Sequence, residues 1–290
     1  MLMYRTLEIS IHLKEISLMI EKRIHSLPLW FFQNLIKYKE IHHFVSSRIG
    51  GFSNPPYNSL NLGFHVGDNP KVILKNREKL ALVLGIPLSN FTTAKQTHDC
   101  NVEIITEGLR GSGTLNYDTA INATDAMVTN IPNICLMVLQ ADCVPILFFD
   151  LKKKVIGIAH AGWRGTVRMV AKKTVSILKK KFQCSLNDIF VGIGPSIGPC
   201  CYEVNLKTLT PDGKTFDIKS EYIDNYRSGN KGYFNLWRAN KIQLIQTGIP
   251  EKNIEAAEIC THCNHDTFFS YRYEKRETGR FGAGIMLSNL

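Results

Sequence analysis

No stretch of the sequence is apolar for long enough to cross a membrane, which takes about 20 consecutive apolar residues in a helix. The most apolar segment is residues 133–150, and it is interrupted at Gln140, Asp142 and Pro145. We interpret this segment as buried strands and predict a protein that has no membrane partner. The N-terminus also lacks the apolar run of a signal peptide, because charged residues such as Glu15 interrupt it. We therefore expect a cytoplasmic protein.

Motifs for binding nucleic acids are absent as well, although the formal net charge is +10. A charge of this size is compatible with nucleic acid, an anionic membrane surface or a phosphate-bearing substrate. The lysine runs at 152–154 and 179–181 lie between or at the ends of the predicted elements, where solvated lysines are common. No zinc-finger, RNP or basic-zipper pattern accompanies the charge, so we predict no nucleic-acid partner. A non-enzymatic nucleic-acid-binding module stays open as an alternative that rests on the charge alone.

The sequence has eight cysteines but no export signal, which favours free thiols or metal ligands over a disulfide framework. They are Cys100, Cys135, Cys143, Cys184, Cys200, Cys201, Cys260 and Cys263. The segment Cys260-Thr261-His262-Cys263-Asn264-His265 resembles half of a zinc knuckle. A closed structural site could use its two cysteines with one or both histidines. The segment has no second paired motif nearby, and nothing in the sequence brings the adjacent Cys200 and Cys201 close to it.

Short apolar runs with β-branched residues indicate buried strands over 133–139, 144–149, 155–160 and 188–194. Between the last two, residues 166–181 have an apolar face and a lysine-rich face, which predicts an amphipathic helix. A strand, a helix and a strand in this order are typical of the α/β class.

A second helix is predicted over residues 70–84, because Pro70 opens the segment and Gly85 follows it. Residues 1–26 alternate charged and apolar residues without a strong motif. We interpret them as an N-terminal extension that resembles an appended helix. The remaining residues, 27–290, are predicted to form one domain.

The segment from Val155 to Thr166 carries the first candidate functional residues. A strand that ends at His160 runs into a glycine-punctuated loop, and this loop opens the helix that Thr166 can cap. Free backbone N–H groups at a helix start attract anions, and Arg164 adds a planar donor fork suited to phosphate. His160 lies at the end of a strand, where functional groups are common in α/β folds.

Two further segments add metal-ligand chemistry. Asp142 and Cys143 interrupt an apolar run, and a buried carboxylate needs hydrogen-bonding partners. With His98 and His160, Cys143 forms a plausible zinc set, because three protein ligands leave the fourth tetrahedral position open for catalysis. The spacing is long, so only the fold could bring these residues together. Cys143 could instead be a buried structural cysteine, or the nucleophile of a cysteine hydrolase with His160 as its base.

Taken in order, these motifs resemble the YfiH family, also called the laccase-domain or multicopper polyphenol oxidase-like family. The resemblance covers roughly residues 28–290. The matching segments are Ser47-Arg48-Ile49-Gly50-Gly51, Ser59-Leu60-Asn61-Leu62-Gly63, Gln96-Thr97-His98, Asp125-Ala126-Met127-Val128-Thr129, Ala141-Asp142-Cys143, His160-Ala161-Gly162-Trp163-Arg164-Gly165-Thr166, Ile193-Gly194-Pro195-Ser196-Ile197-Gly198, Tyr202-Glu203-Val204, Cys260-Thr261, Phe268-Phe269-Ser270-Tyr271-Arg272 and Thr278-Gly279-Arg280.

The resemblance implies a single α/β domain of mixed β-sheets flanked by helices. It also implies that His98, Cys143 and His160 bind zinc, with copper as the alternative metal. The activities expected of the family are phosphorolysis of adenosine, inosine, guanosine and methylthioadenosine, and deamination of adenosine. The expected partners are therefore purine nucleosides and phosphate.

Roles for single residues follow as hypotheses. The residues expected to contact phosphate or ribose are Arg48, Asn61, Arg164 and Arg272. Cys143 and His160 would act in catalysis as well as in metal binding. Asp142 could orient a histidine ligand, act as an acid–base group, or only fix a buried loop.

Copper-dependent phenol oxidation stays open as an alternative, since a blue-copper site also uses two histidines and one cysteine. Laccase chemistry needs more copper sites and many more histidines than the nine in this sequence. The sequence does not indicate an oligomeric state.

Overall fold

Two six-stranded mixed sheets organise the chain in the structure, a computed structural model that describes residues 19–206, 220–227 and 230–289. The strands are β1 (Met19–Ile24), β2 (Leu27–Phe32), β3 (Ile41–Ser46), β4 (Phe91–Thr92), β5 (Val102–Ile104), β6 (Ala126–Thr129), β7 (Cys135–Gln140), β8 (Val144–Asp150), β9 (Val155–Ala161), β10 (Ile189–Ile193), β11 (Glu203–Asn205), β12 (Ile223–Arg227), β13 (Lys231–Phe234), β14 (Ile254–Ala256) and β15 (Phe281–Leu287). The helices are α1 (Gln33–Ile36), α2 (Pro70–Leu84), α3 (Trp163–Val167), α4 (Val170–Phe182) and α5 (Leu236–Gln246).

The first sheet has the strand order β1-β2-β3-β15-β7-β4, and the second has the order β14-β10-β8-β9-β6-β5. Most neighbouring strands are antiparallel, but β4 runs parallel to β7, β5 to β6 and β14 to β10. A small third sheet has the order β11-β13-β12. The predicted class, mixed sheets flanked by helices, is confirmed. The four predicted apolar strands are β7, β8, β9 and β10, with ends that agree within two residues.

The molecule is layered because the apolar strands are buried on both faces. In β8, Leu147 packs into the core between the two sheets, whereas the next residue, Phe148, packs on the outer face with Leu178 of α4. This alternation follows from the two-residue repeat of a strand. On the far side of the first sheet, Leu80 of α2 shares a core with Phe44 of β3. The order of layers is therefore helix, sheet, sheet, helices.

The helix predicted over residues 70–84 is confirmed as α2. The side chain of Asn69 accepts a hydrogen bond from the backbone N–H of Lys71 at its start, and Pro70 is its first residue. Gly85 ends it in the left-handed conformation, with φ of 66°, which glycine adopts without a steric penalty.

The single helix predicted over residues 166–181 is wrong at its start. The chain forms the short α3, and a left-handed residue, Met169 with φ of 61°, separates α3 from α4. Thr166 lies inside α3 and does not cap α4. Its buried hydroxyl accepts a hydrogen bond from Asn240 of α5 instead. The break lets α3 follow the end of β9 while α4 lies along the second sheet.

The prediction of an appended helix at the N-terminus is also wrong for the part of residues 1–26 that the structure describes. Residues 19–24 form β1, which pairs antiparallel with β2 from Met19 opposite Phe32 to Ile24 opposite Leu27. The predicted domain boundary after residue 26 therefore falls in the turn of a β-hairpin. Residues 1–18 lie outside the described residues. In the described part of the chain, no helix is long and apolar enough to cross a membrane.

Candidate functional site

A cavity of about 650 Å³ opens beside the ends of β8 and β9. Its cationic lining residues are Arg164, Arg272, Lys275, Arg276 and Arg280. Its aromatic lining residues are His65, Trp163, Tyr202 and Tyr271. His98, Cys143 and His160 line the same cavity. The space therefore combines positive charge, aromatic rings and possible metal ligands.

The fold brings His98, Cys143 and His160 together from three separate segments. Cys143 immediately precedes β8, and His160 lies near the end of β9, which pairs antiparallel with β8 so that Pro145 is opposite His160. His98 comes from the loop between β4 and β5. One ligand atom from each of the three lies within 4.8 Å of the other two. The sequence-predicted ligand set is thus one spatial group.

Asp125, which immediately precedes β6, organises two of these residues. One carboxylate oxygen is 2.9 Å from His160 Nδ1 and accepts a hydrogen bond of 3.0 Å from the backbone N–H of His98. The other accepts the backbone N–H groups of Thr97 and Asp99. With Nδ1 of His160 held by a carboxylate, Nε2 is the nitrogen left for a metal. Sequence reasoning did not find this role, and its only signal was the matching segment that begins at Asp125.

The charges in this group stabilise the thiolate form of Cys143. Burial would raise the pKa of the Cys143 thiol, but His160 and His98 outweigh it and lower that pKa to about 6. Burial would lower the pKa of His160, but Cys143 and Asp125 raise it to about 9. Burial would raise the pKa of Asp125, yet His160 and the backbone N–H of Asp99 lower it to about 2. Cys143 is therefore poised to be a thiolate, the form that binds metals.

The residues present fit a zinc ion. Two imidazoles and one thiolate belong to the ligand types that zinc prefers, and three protein ligands leave one position open. Gly162 makes room for them, since a Cβ atom there would lie 2.8 Å from Cys143 Sγ and 3.2 Å from His98 Cδ2. This close approach explains a glycine at a position whose φ of −68° any residue can adopt.

Asp142 lines the cavity, but its hydrogen bonds fix loops. One carboxylate oxygen accepts the hydroxyl of Thr261 at 2.7 Å, and the other accepts the backbone N–H of Arg272 at 2.7 Å. The carboxylate that contacts a histidine ligand is Asp125, not Asp142. Among the three hypotheses for Asp142, this geometry matches the buried loop-fixing bond.

Of the four residues expected to contact substrate, the structure brings Arg164 and Arg272 to the cavity and leaves the other two outside its lining. Arg48 is buried, forms a 2.8 Å ion pair with Glu274, and donates hydrogen bonds to backbone oxygens of Asn58 and His265. These bonds hold the loops around Arg48 together, and the expected contact between Arg48 and substrate stays a prediction. Glu274 neutralises the positive charge of Arg48 inside the protein, so this charge is not directed at the cavity.

Asn61 is likewise a supporting residue. Its side-chain oxygen accepts the backbone N–H groups of Gly63 and of Arg280, the latter at 2.9 Å. Arg280 itself lines the cavity, as does His65. Neither residue was a candidate. His65 stands alone in the sequence, and the only signal for Arg280 was the matching segment Thr278-Gly279-Arg280.

Residues 42–288 match the family described as multi-copper polyphenol oxidoreductase laccase. The chain belongs to this family. The prediction of a YfiH-family fold is confirmed by the crystal structure of the hypothetical protein YfiH of Bacillus licheniformis. That protein is 33% identical, with a TM-score of 0.84 over 92% of this chain and 97% of that chain.

Proteins similar to this chain have names that state an activity. The purine nucleoside phosphorylase YlmD of Geobacillus stearothermophilus is 35% identical over 241 residues, which cover 83% of this chain and 88% of that protein. The adenosine deaminase RL5 of an unknown prokaryotic organism is 34% identical over 230 residues, which cover 79% of this chain and 87% of that protein.

The family description refers to several copper ions, but the described residues provide few groups of side chains that could bind them. In residues 19–206, 220–227 and 230–289, two groups of three or more side chains could hold a metal ion. One is the group of two histidines and one cysteine, and the other consists of cysteines alone. Neither provides the histidine-rich ligands of a multicopper oxidase.

Proposed function

We propose that this member of the laccase family is a zinc-dependent purine nucleoside phosphorylase that acts on adenosine, inosine, guanosine and methylthioadenosine. The observation that carries the proposal is an open three-ligand group, His98, Cys143 and His160, on the wall of a cationic cavity. The name of the relative YlmD supports the same reaction.

The size and lining of the cavity suit the two substrates. Its volume of about 650 Å³ lies within the usual range for small-molecule sites. Arg164 and Arg272 present guanidinium forks that match phosphate oxygens. The rings of Trp163 and Tyr202 line the same space. The Arg164 guanidinium lies 4.3 Å from the centroid of the Trp163 ring and the Arg272 guanidinium 5.1 Å from that of the Tyr202 ring, so these stacked pairs hold both arginines in the lining. Phosphate and purine can thus be held in one space.

In phosphorolysis, a phosphate oxygen forms a bond to C1′ of the ribose while the bond from C1′ to the base nitrogen breaks and its electron pair leaves with the base. His98, Cys143 and His160 would hold a zinc ion whose positive charge orients phosphate and stabilises negative charge. The arginines fix phosphate against C1′. Positioning of this kind lowers a barrier by about 7–11 kcal/mol in favourable cases.

Other cavity residues have supporting tasks. Burial and the nearby Arg280 guanidinium lower the pKa of His65 to about 4, so its imidazole is neutral near pH 7 and can hydrogen-bond to substrate without a charge. Asp142 holds the backbone of Arg272 and the hydroxyl of Thr261. Asp142 therefore acts as a positioning residue.

Adenosine deamination is the second activity proposed for the same site. It needs a water that attacks C6 of the purine and releases ammonia, and an open metal position is one way to activate that water. The relative named adenosine deaminase RL5 favours it. Both reactions would use the same three ligands, so loss of the ligands should abolish both.

A cysteine hydrolase is the sharpest rival. Cys143, His160 and Asp125 form a chain in which a carboxylate orients an imidazole beside a thiol, as in nucleophilic catalysis. Such a hydrolase has no use for a second imidazole on the thiol. His98 lies against the same sulfur, which favours a metal instead. Phenol oxidation would need redox-active copper at this group.

The first experiment incubates purified protein with adenosine or inosine, with and without phosphate, and measures free base and ribose 1-phosphate. The same assay is run on His98→Ala and on metal-stripped protein. We expect phosphate-dependent base release that disappears in both. The activity of a hydrolase that uses Cys143 would survive metal removal. The metal-stripped sample therefore distinguishes the phosphorylase from the cysteine hydrolase.

Two further measurements sharpen the result. Arg164→Gln should raise the KM for phosphate, whereas Arg23→Gln, an exposed arginine of β1, should leave it unchanged. Absence of base release from metal-loaded protein in every condition would contradict the proposal. Activity with a phenol substrate on copper-loaded protein would then favour the oxidase.

A further inference from the structure

Four cysteines outside the cavity converge from two distant segments. Cys200 and Cys201 lie in the turn between β10 and β11, and Cys260 and Cys263 lie in the loop after β14. The four Sγ atoms all lie within 4.8 Å of one another. Cys263 Sγ is 3.6 Å from Cys200 Sγ and 3.4 Å from Cys201 Sγ. No sequence pattern predicts that the two pairs lie together, and only the fold brings them into contact.

The histidines of the half-knuckle do not take part. The ring of His265 stacks on Tyr273 with a centroid distance of 3.5 Å, and its Nδ1 lies 3.1 Å from the backbone oxygen of His262. The ring of His262 meets Tyr273 edge-on. The two histidines named as possible ligands of a closed site are thus replaced by Cys200 and Cys201.

The sulfur spacing matches one tetrahedral metal ion. With Zn–S bonds of about 2.3 Å, sulfurs at the corners of a tetrahedron are about 3.8 Å apart. A disulfide needs sulfurs at about 2.05 Å, and all four cysteines are free. An iron–sulfur cluster places several irons between its thiolates and so needs them farther apart.

The backbone around the group is arranged for a sulfur ligand. The N–H of Gly198 donates to Cys260 Sγ at 3.2 Å. A Cβ atom at position 198 would lie 2.5 Å from the Trp237 ring and 3.1 Å from Cys260 Cβ, so only glycine lets this turn approach the cysteine. N–H donors to sulfur tune metal-bound thiolates in proteins.

We propose that Cys200, Cys201, Cys260 and Cys263 bind one Zn²⁺ as a closed four-thiolate structural site, separate from the group of His98, Cys143 and His160. Four thiolates with no open position are the pattern of structural zinc. Binding replaces the thiol protons, which are released to solvent.

The site ties together two loops that shape the cavity. From the turn of Cys200, the backbone N–H of Ile197 donates to the backbone oxygen of Asp142 at 2.9 Å. From the loop of Cys260, the Thr261 hydroxyl donates to the Asp142 carboxylate. A metal cross-link between the loops therefore holds Asp142 from both sides, next to Cys143. Its effect on the reaction would be one of positioning.

The test counts metal ions in protein purified under reducing conditions without chelator. We expect two zinc ions per chain in the wild type, one in Cys263→Ser, one in His98→Ala and none in the double variant. Cys100→Ser, which removes a cysteine outside both groups, should keep two. The readout is elemental analysis, so it does not depend on the proposed enzymatic activity.

Cobalt substitution gives a second readout on the wild type itself. Four thiolates around Co²⁺ produce much stronger sulfur-to-metal absorption than one thiolate does, and this band should survive in His98→Ala and vanish in Cys263→Ser or Cys200→Ser. If Cys263→Ser fails to fold, the wild-type spectrum and Cys200→Ser still decide the question.

Two results would overturn the proposal. One is a wild type that holds a single metal ion, lost in His98→Ala and kept in Cys263→Ser, with no four-thiolate band. The other is mass spectrometry after alkylation that finds the four cysteines in disulfides in protein kept under reducing conditions.

Discussion

Asp125 is the carboxylate on which the candidate zinc site depends. It accepts hydrogen bonds from His160 Nδ1 and from the backbone of the segment that carries His98. A single side chain therefore sets the ring orientation of one ligand and the backbone of another. His98 has a φ of 60°, a conformation that non-glycine residues adopt only when the surroundings hold them there.

Asp125→Asn should weaken zinc binding at the cavity by about 10–100-fold, the usual effect of losing a carboxylate behind a histidine ligand. The asparagine amide keeps the size of the side chain. Its own N–H group would face the backbone N–H groups that the Asp125 carboxylate accepts. Competition with a chelator measures the affinity, and kcat/KM should fall in parallel. Asp118→Asn, at an exposed position, is the matched control. Equal zinc affinity in both variants would contradict the role assigned to Asp125.

His43 shows how a buried imidazole makes stability depend on pH. It lies on β3, its Nε2 accepts the backbone N–H of Phe32 at 2.9 Å, and burial lowers its pKa from 6.5 to about 3. The unfolded chain binds a proton below pH 6.5 and the folded chain does not. The contribution of His43 to stability is therefore complete above pH 6.5 and is lost as the pH falls towards 3.

Between pH 7 and pH 5, this residue should cost the wild type about 2 kcal/mol of unfolding free energy. His43→Gln keeps an acceptor for the Phe32 N–H but cannot take up the proton, so its loss over the same range should be smaller by that amount. Urea unfolding at both pH values gives the comparison. His42→Gln, the exposed neighbour, should behave like the wild type. A difference for His42 rather than His43 would refute the assignment.

At the scale of elements, the site is built where strands end. The antiparallel pairing of β8 and β9 puts Cys143 beside the turn that follows His160, and the loop before β5 supplies His98. α3 begins directly after Gly162, so a helix, two strands and a loop meet within a few ångströms of the ligands. This crowding leaves no room for an added carbon atom.

Gly162→Ala should therefore separate the ligands without unfolding the protein. The new Cβ would lie 2.8 Å from Cys143 Sγ, and overpacking of this kind costs about 1–3 kcal/mol. We expect zinc affinity to fall by roughly tenfold or more, as measured by chelator competition. Gly108→Ala has open space around its Cβ and should bind zinc like the wild type. Full affinity in Gly162→Ala would show that the ligands can move apart freely.

At the scale of the whole molecule, the two large sheets share one core. Trp30 of β2 belongs to the core between the sheets, and Trp237 of α5 belongs to the core on the outer face of the second sheet. Strands such as β8 contribute to both cores, because their successive side chains point to opposite faces. This sharing favours a single cooperative unit that includes β1, whereas the predicted domain over residues 27–290 begins inside the β1–β2 hairpin and stays a prediction.

Unfolding in urea should then occur in one transition. A variant that keeps only Trp30 and one that keeps only Trp237, made with Trp→Phe changes, should each give a fluorescence midpoint equal to their own circular dichroism midpoint. The comparison within each variant cancels the effect of the substitutions on stability. A fluorescence midpoint that differs from the circular dichroism midpoint of the same variant would indicate two domains.

Much of the fold follows from local patterns in the sequence. Apolar runs in β7 to β10 and the Pro–Gly bounds of α2 are set by nearest neighbours along the chain, so they can be read from it. The break at Met169 and the strand at residues 19–24 cannot, because packing against α5 and pairing with β2 decide them. Tertiary contacts override local propensity at both places.

The sequence by itself determined the α/β class, the family and the chemical types of the three candidate ligands, since these reside in short segments whose order is visible. Only the tertiary structure decided which residues stand together. It put Asp125 rather than Asp142 behind a histidine, took Arg48 and Asn61 out of the cavity lining, and joined Cys200 and Cys201 to Cys260 and Cys263. The physical reason is that side-chain chemistry is local, whereas distances between remote segments are fixed by strand pairing and core packing.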